Sequence, residues 1–143
     1  MELPDHVEAR FQVLLVEDNT GDANLVSLVM NHRTDILMTV VENVVAAFQY
    51  LQRRDRFSSA STPDLILLDL NLPIFSGKAL LEERTRHPQW RSIPVVVFTS
   101  SQRDRAECLA LGANDYVVKP NDWKEWNHIF DQVIAKFLSP QAL

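Results

Sequence analysis

The sequence predicts a single doubly wound α/β domain, and three observations carry that reading. Four short apolar runs are continuous rather than alternating: Val13-Leu14-Leu15-Val16, Leu65-Ile66-Leu67-Leu68, Val95-Val96-Val97-Phe98 and Tyr116-Val117-Val118. Such runs suit strands covered on both faces, as in a parallel sheet flanked by helices. Segments with helical spacing separate them, and the 143 residues are about one domain's worth of chain.

Taken in order, the first strand (13–16) leads to a helix over 23–31 and then to a more variable run, 36–41, whose polar Thr39 marks an edge strand. A second helix over 44–53 starts at Asn43, a good N-cap. The stretch 53–63 has three Arg and three Ser and reads as a mobile surface loop. After the strand 65–68, a third helix is expected over 78–86, with Pro63, Pro88 and Pro94 in connections. The strand 95–98 precedes a fourth helix, 103–111, stopped at Gly112. The strand 116–118 precedes a fifth helix, 123–138, capped by Asp122. Its stripe of Trp126, Ile129, Phe130, Val133, Ile134 and Phe137 is wider than packing on a sheet requires; part reads as core and part as a contact surface. The domain is expected over 11–143, after an extension of residues 1–10.

Composition narrows the function classes. Hydrophobic residues are 46% and charged residues 23%, so the chain can bury a core. A net charge of -5 with no dense basic run disfavours nucleic-acid binding. Met1 to Arg10 carries acids and a proline where a signal peptide needs an apolar stretch, and no segment approaches the roughly 18 to 20 apolar residues of a membrane span. The lone Cys108 forms no internal disulfide and reads as a packing residue. These features imply a cytoplasmic protein. The four His are scattered without metal-ligand spacing.

The chemistry falls at strand ends, where open parallel sheets bind ligands. Glu17 and Asp18 follow the first strand, Asp69 follows 65–68, Thr99 follows 95–98 and Lys119 follows 116–118. Any one of them alone reads as a cap or a solvated surface group. Four strand ends delivering them together do not. A carboxylate directly after four apolar residues must meet water, a cation or a donor, and three clustered acids repel one another unless positive charge intervenes. Oxygen-only ligands at an open edge favour Mg²⁺.

These residues resemble the receiver domain of bacterial response regulators, the CheY-like family, over 11–138. The matching pieces are Leu14-Leu15-Val16-Glu17-Asp18-Asn19, Leu67-Leu68-Asp69-Leu70-Asn71-Leu72-Pro73 with Gly77, Val97-Phe98-Thr99-Ser100, and Gly112-Ala113-Asn114-Asp115-Tyr116-Val117-Val118-Lys119-Pro120. The resemblance implies a flavodoxin-like sheet of order 2-1-3-4-5 with five helices. It makes Asp69 the acceptor of a phosphoryl group from a histidine kinase. It gives Mg²⁺ to Asp18, Asp69 and the main-chain carbonyl of Asn71, with Glu17 acting directly or through a water. Lys119 and Thr99 would contact phosphoryl oxygens, Tyr116 matches the switch aromatic, and Lys119-Pro120 is expected to be cis.

The chain departs from many members in having Glu17 where they have aspartate, and in the polar Asn121-Asp122-Trp123 after Pro120. No room is left for an output domain within it. Glu17-Asp18-Asn19 with Gly21-Asp22, Trp90 before Ile93-Pro94-Val95, and Leu111-Gly112-Ala113-Asn114 is similar to the small regulators paired with cyanobacterial phytochrome kinases. That likeness implies a homodimer through the fourth helix, fifth strand and fifth helix. The same residues allow a phosphorelay carrier that passes phosphate to a histidine phosphotransfer protein. A nucleotide- or flavin-binding enzyme is disfavoured because the loop after the first strand lacks a glycine-rich cradle. A non-phosphorylated scaffold ranks below the active switch, because Asp18, Asp69, Thr99 and Lys119 are all present.

Overall fold

The computed structural model describes residues 11–30, 33 and 35–138, so the expected extension 1–10 and the last five residues lie outside the described residues. Five strands, β1 (Phe11–Val16), β2 (Ile36–Val41), β3 (Leu65–Leu68), β4 (Val95–Thr99) and β5 (Asp115–Val118), form one parallel sheet of order β2-β1-β3-β4-β5. That is the doubly wound flavodoxin-like arrangement expected. Every residue of β3 and β4 is buried, which is the physical origin of their unbroken apolar runs. On β2 only Val41 is buried, as an edge strand allows.

Alternate strand residues feed two cores. Leu14, Val16, Ile66, Leu68, Val95 and Val97 pack beneath α2 (Val44–Gln52), α3 (Gly77–Arg84), α4 (Pro88–Arg91) and α5 (Arg105–Ala110). Val13, Leu15, Leu65, Leu67, Val96 and Phe98 pack beneath α1 (Thr20–Met30) and α6 (Trp123–Phe137). In α6 the stripe divides: Trp126, Phe130 and Val133 are buried, and the first two rings meet Phe98 edge-on with centroids 5.0 Å away. Ile129, Ile134 and Phe137 are partly buried at its margin.

The helices differ from expectation in ways with local causes. There are six rather than five, because Pro88, expected in a connection, starts the short α4 at a position where its missing N–H costs nothing. That turn buries Trp90, whose ring stacks on Phe48 and His87. The helix α1 begins three residues earlier than its apolar spacing implied, because the Asn19 side chain accepts from the Asp22 amide at 2.8 Å and caps it. Asn43 and Asp122 cap α2 and α6 as expected. The stretch 53–63 is not a featureless loop: left-handed Arg53 ends α2, a 3-10 turn covers Asp55–Phe57, and Phe57 packs edge-on against Tyr50. No cis peptide bond occurs among the described residues, so the expectation for Lys119-Pro120 is corrected to trans.

One buried cation escaped the sequence reading. Arg84 is 5% exposed, and its guanidinium donates to the carbonyls of Ile93, Arg91 and Gly112 and to Asn114 Oδ1. It holds the β4 and β5 approaches to α3 without an acidic partner among the described residues.

Candidate functional site

Strand pairing builds the site. Val16 and Leu68 are register partners at the ends of β1 and β3, so Glu17 and Asp69 emerge side by side, and the Asp69 amide donates to the Val16 carbonyl. Glu17 is 2% and Asp69 5% exposed, while Asp18 faces solvent. Across the sheet, Thr99 ends β4 buried, and its carbonyl accepts from the Lys119 amide at 2.7 Å. That bond ties the β4 and β5 exits together and aims Lys119 inward.

The Lys119 ammonium lies among three carboxylates: Asp22 Oδ2 at 2.7 Å, Glu17 Oε1 at 2.9 Å and Asp69 Oδ2 at 3.3 Å. The other Asp69 oxygen accepts from the Leu70 amide at 2.7 Å and the Asn71 amide at 3.4 Å, so the carboxylate is held from both ends. Gly77 makes that loop possible, because a Cβ there would overlap the Asp69 carbonyl oxygen. Asn71 itself is exposed beside the carboxylate.

One ammonium does not offset this much negative charge. Burial first, and then the Asp69 carboxyl, push Glu17 up to about 7 despite Lys119. Burial works against the Lys119 charge, yet Asp22 and Glu17 hold its pKa above the ordinary lysine value. Glu17, Asp18 and Asp69 can each offer an oxygen, all within 4.8 Å of one another. An all-oxygen, over-charged and partly open donor set fits a hard divalent cation such as Mg²⁺.

The sequence expectations for Glu17, Asp18, Asp69, Thr99 and Lys119 therefore meet at one sheet edge. Asp22 was missed as a site residue, because it belongs to a helix rather than a strand end. Tyr116 is buried at 2% exposure, with its hydroxyl donating to the Ser101 carbonyl and Arg105 lying over its ring. The ring is thus already packed inward. Cys108 is fully buried, and burial pushes its thiol up, in keeping with a packing role.

A family model for the response regulator receiver domain matches residues 13–130. This chain belongs to the response regulator receiver family. Receivers are components of two-component signalling, and the family is a signalling one rather than a catalytic one. Response regulator Rcp1 of Synechocystis is 36% identical over 116 residues, covering 79% of each chain. The crystal structure of the phosphorylated cyanobacterial phytochrome response regulator RcpA superposes with a TM-score of 0.86 at 33% identity, covering 94% of this chain and 99% of that one. The Mn²⁺-bound form of Rcp1 gives 0.83 at 32% identity over 93% and 98% of the two chains. No helix among the described residues is long and apolar enough to cross a membrane.

Proposed function

We propose that this receiver is a phosphorylation switch whose acceptor is Asp69. The observation that carries the reading is the Lys119 ammonium poised between the buried Glu17 and Asp69 carboxylates. An Asp69 oxygen forms a bond to the phosphorus of a histidine kinase's phosphohistidine as the phosphorus–nitrogen bond breaks, and the leaving imidazole keeps that electron pair. Asp18, Asp69 and the main-chain carbonyl of Asn71 would hold Mg²⁺, with Glu17 contributing directly or through a water, and the ion would supply positive charge to offset that of the phosphoryl group. Lys119 neutralises a further oxygen, and the Thr99 hydroxyl donates to another. Phosphoryl transfer needs mainly such positioning and charge.

The new dianion recruits Thr99 and Lys119, and Tyr116, one residue from β5's start, carries the change to the α5-β5-α6 surface by shifting a two-state balance. That surface would serve a homodimer. The similarity to RcpA and Rcp1 supports a phytochrome-type histidine kinase as phosphodonor, in the cytoplasm.

Incubation with Mg²⁺ and acetyl phosphate, read by intact mass, tests the acceptor. The wild type gains one phosphoryl group and Asp69→Asn gains none. Equal uptake by Asp69→Asn would place the acceptor elsewhere.

A further inference from the structure

The Lys119 ammonium has three N–H groups and three carboxylate partners, and the nearest of these, Asp22, has no part in the phosphoryl transfer proposed above. Asp22 Oδ2 lies 2.7 Å away, against 3.3 Å for Asp69 Oδ2. Asp22 comes from the first turn of α1, where its amide is fixed by Asn19. Its side chain is 31% exposed, whereas those of Glu17 and Asp69 are 0% and 6% exposed.

We propose that Asp22 is a positioning residue that holds Lys119 back from the acceptor in the resting protein and releases it when a phosphoryl group arrives. The inference rests on Asp69 being the acceptor. Phosphorylation turns the Asp69 carboxylate, the farthest of the three partners, into an acyl phosphate whose anionic oxygens draw the ammonium away from the two carboxylates that remain. Moving off Glu17 would leave a buried carboxylate with the Asn19 amide as its remaining donor among the described residues. Asp22 is open to water, which replaces the lost hydrogen bond at little cost. Until that exchange occurs, Asp22 competes with the incoming phosphoryl oxygens for the lysine. It therefore acts as a brake on phosphorylation.

The test uses the full chain with Mg²⁺ and acetyl phosphate, where the Asp69–phosphorus bond forms as acetate leaves with the electrons of its bond to phosphorus. The rate of mass gain in Asp22→Asn is expected to rise roughly two- to fivefold, the worth of a half-exposed ion pair. Asp22→Glu, which keeps the charge, stays near the wild-type rate. Asp22→Ser moves in the same direction as Asn and covers any disturbance of α1 by the amide. The gain must also disappear when Asp22→Asn is combined with Lys119→Met and compared with Lys119→Met alone, because the brake works through that ammonium. An unchanged or slower Asp22→Asn, or an equal gain without Lys119, overturns the proposal. Were Asp69→Asn to take up phosphate as the wild type does, the acceptor assignment itself would fail and this inference with it, a result distinct from a wild type labelled on Asp69 with no effect at position 22.

Discussion

Two lysines in this fold face carboxylates at nearly equal distances, and their surroundings give opposite outcomes. Lys78 bridges from α3 to Asp104, the N-cap of α5, and to Glu107 in its first turn, both at 2.8 Å, with its side chain 28% exposed. Lys119 meets its partners at 2.7 to 3.3 Å with 10% exposed. At the first cluster the Lys78 hydrogen bond holds the Asp104 carboxyl below its ordinary value. At the second, burial lifts Glu17 to about 7 although an ammonium sits 2.9 Å away. The distance between opposite charges is the same; desolvation decides which site can take up another charge and which is already content.

The largest expected effect breaks the buried cluster. In Lys119→Ala the three carboxylates lose their shared cation, and the rate of phosphate uptake from acetyl phosphate should fall about 100-fold, the usual loss when one charge-stabilising donor is removed. An undiminished rate would take Lys119 out of the chemistry. Arg84 sharpens the contrast from the side of stability, being a buried cation held by three main-chain carbonyls and the Asn114 side-chain oxygen. Arg84→Met strands those acceptors, and urea unfolding should show a loss of about 2 kcal/mol. A midpoint equal to the wild type's would mean that water satisfies them.

A smaller effect links pH to the cation. Glu17 has its folded pKa raised above the unfolded value, so its contribution to stability is full below about 4.5 and is lost as pH rises through about 7. After treatment with a chelator, the melting temperature should therefore decline between pH 5.5 and 8 by more than it does in Glu17→Gln. Added Mg²⁺ should raise it more at pH 8 than at pH 5.5, where a proton competes for the same carboxyl. A Mg²⁺ response independent of pH would remove Glu17 from the metal site. The smallest effect is at the less buried lysine: Lys78→Met should leave both melting temperature and phosphate uptake at wild-type values. A clear loss of uptake would show that the α3–α5 bridge is coupled to Asp69.

The contrast also explains what could be read in advance. Glu17, Asp18, Asp69, Thr99 and Lys119 were legible because each stands immediately after an apolar run, and in a parallel sheet those runs end at one edge. Asp22 was not, since nothing local joins it to Lys119, 97 residues later. Nothing local marks Arg84 either, and only the converging oxygens of two connections make its pocket. Trp90 and Pro88 lay in a segment too short to show a helical period.

The order of strands and helices, the two-faced burial of the sheet and the positions of the acids were properties of the sequence itself, because hydrophobic period and chain direction report them locally. Tertiary structure alone decided which carboxylates share the Lys119 ammonium, how far burial lifts Glu17, and that Tyr116 packs inward. Those outcomes depend on distances and desolvation between segments far apart in the chain, and neither quantity is written in any short stretch of residues.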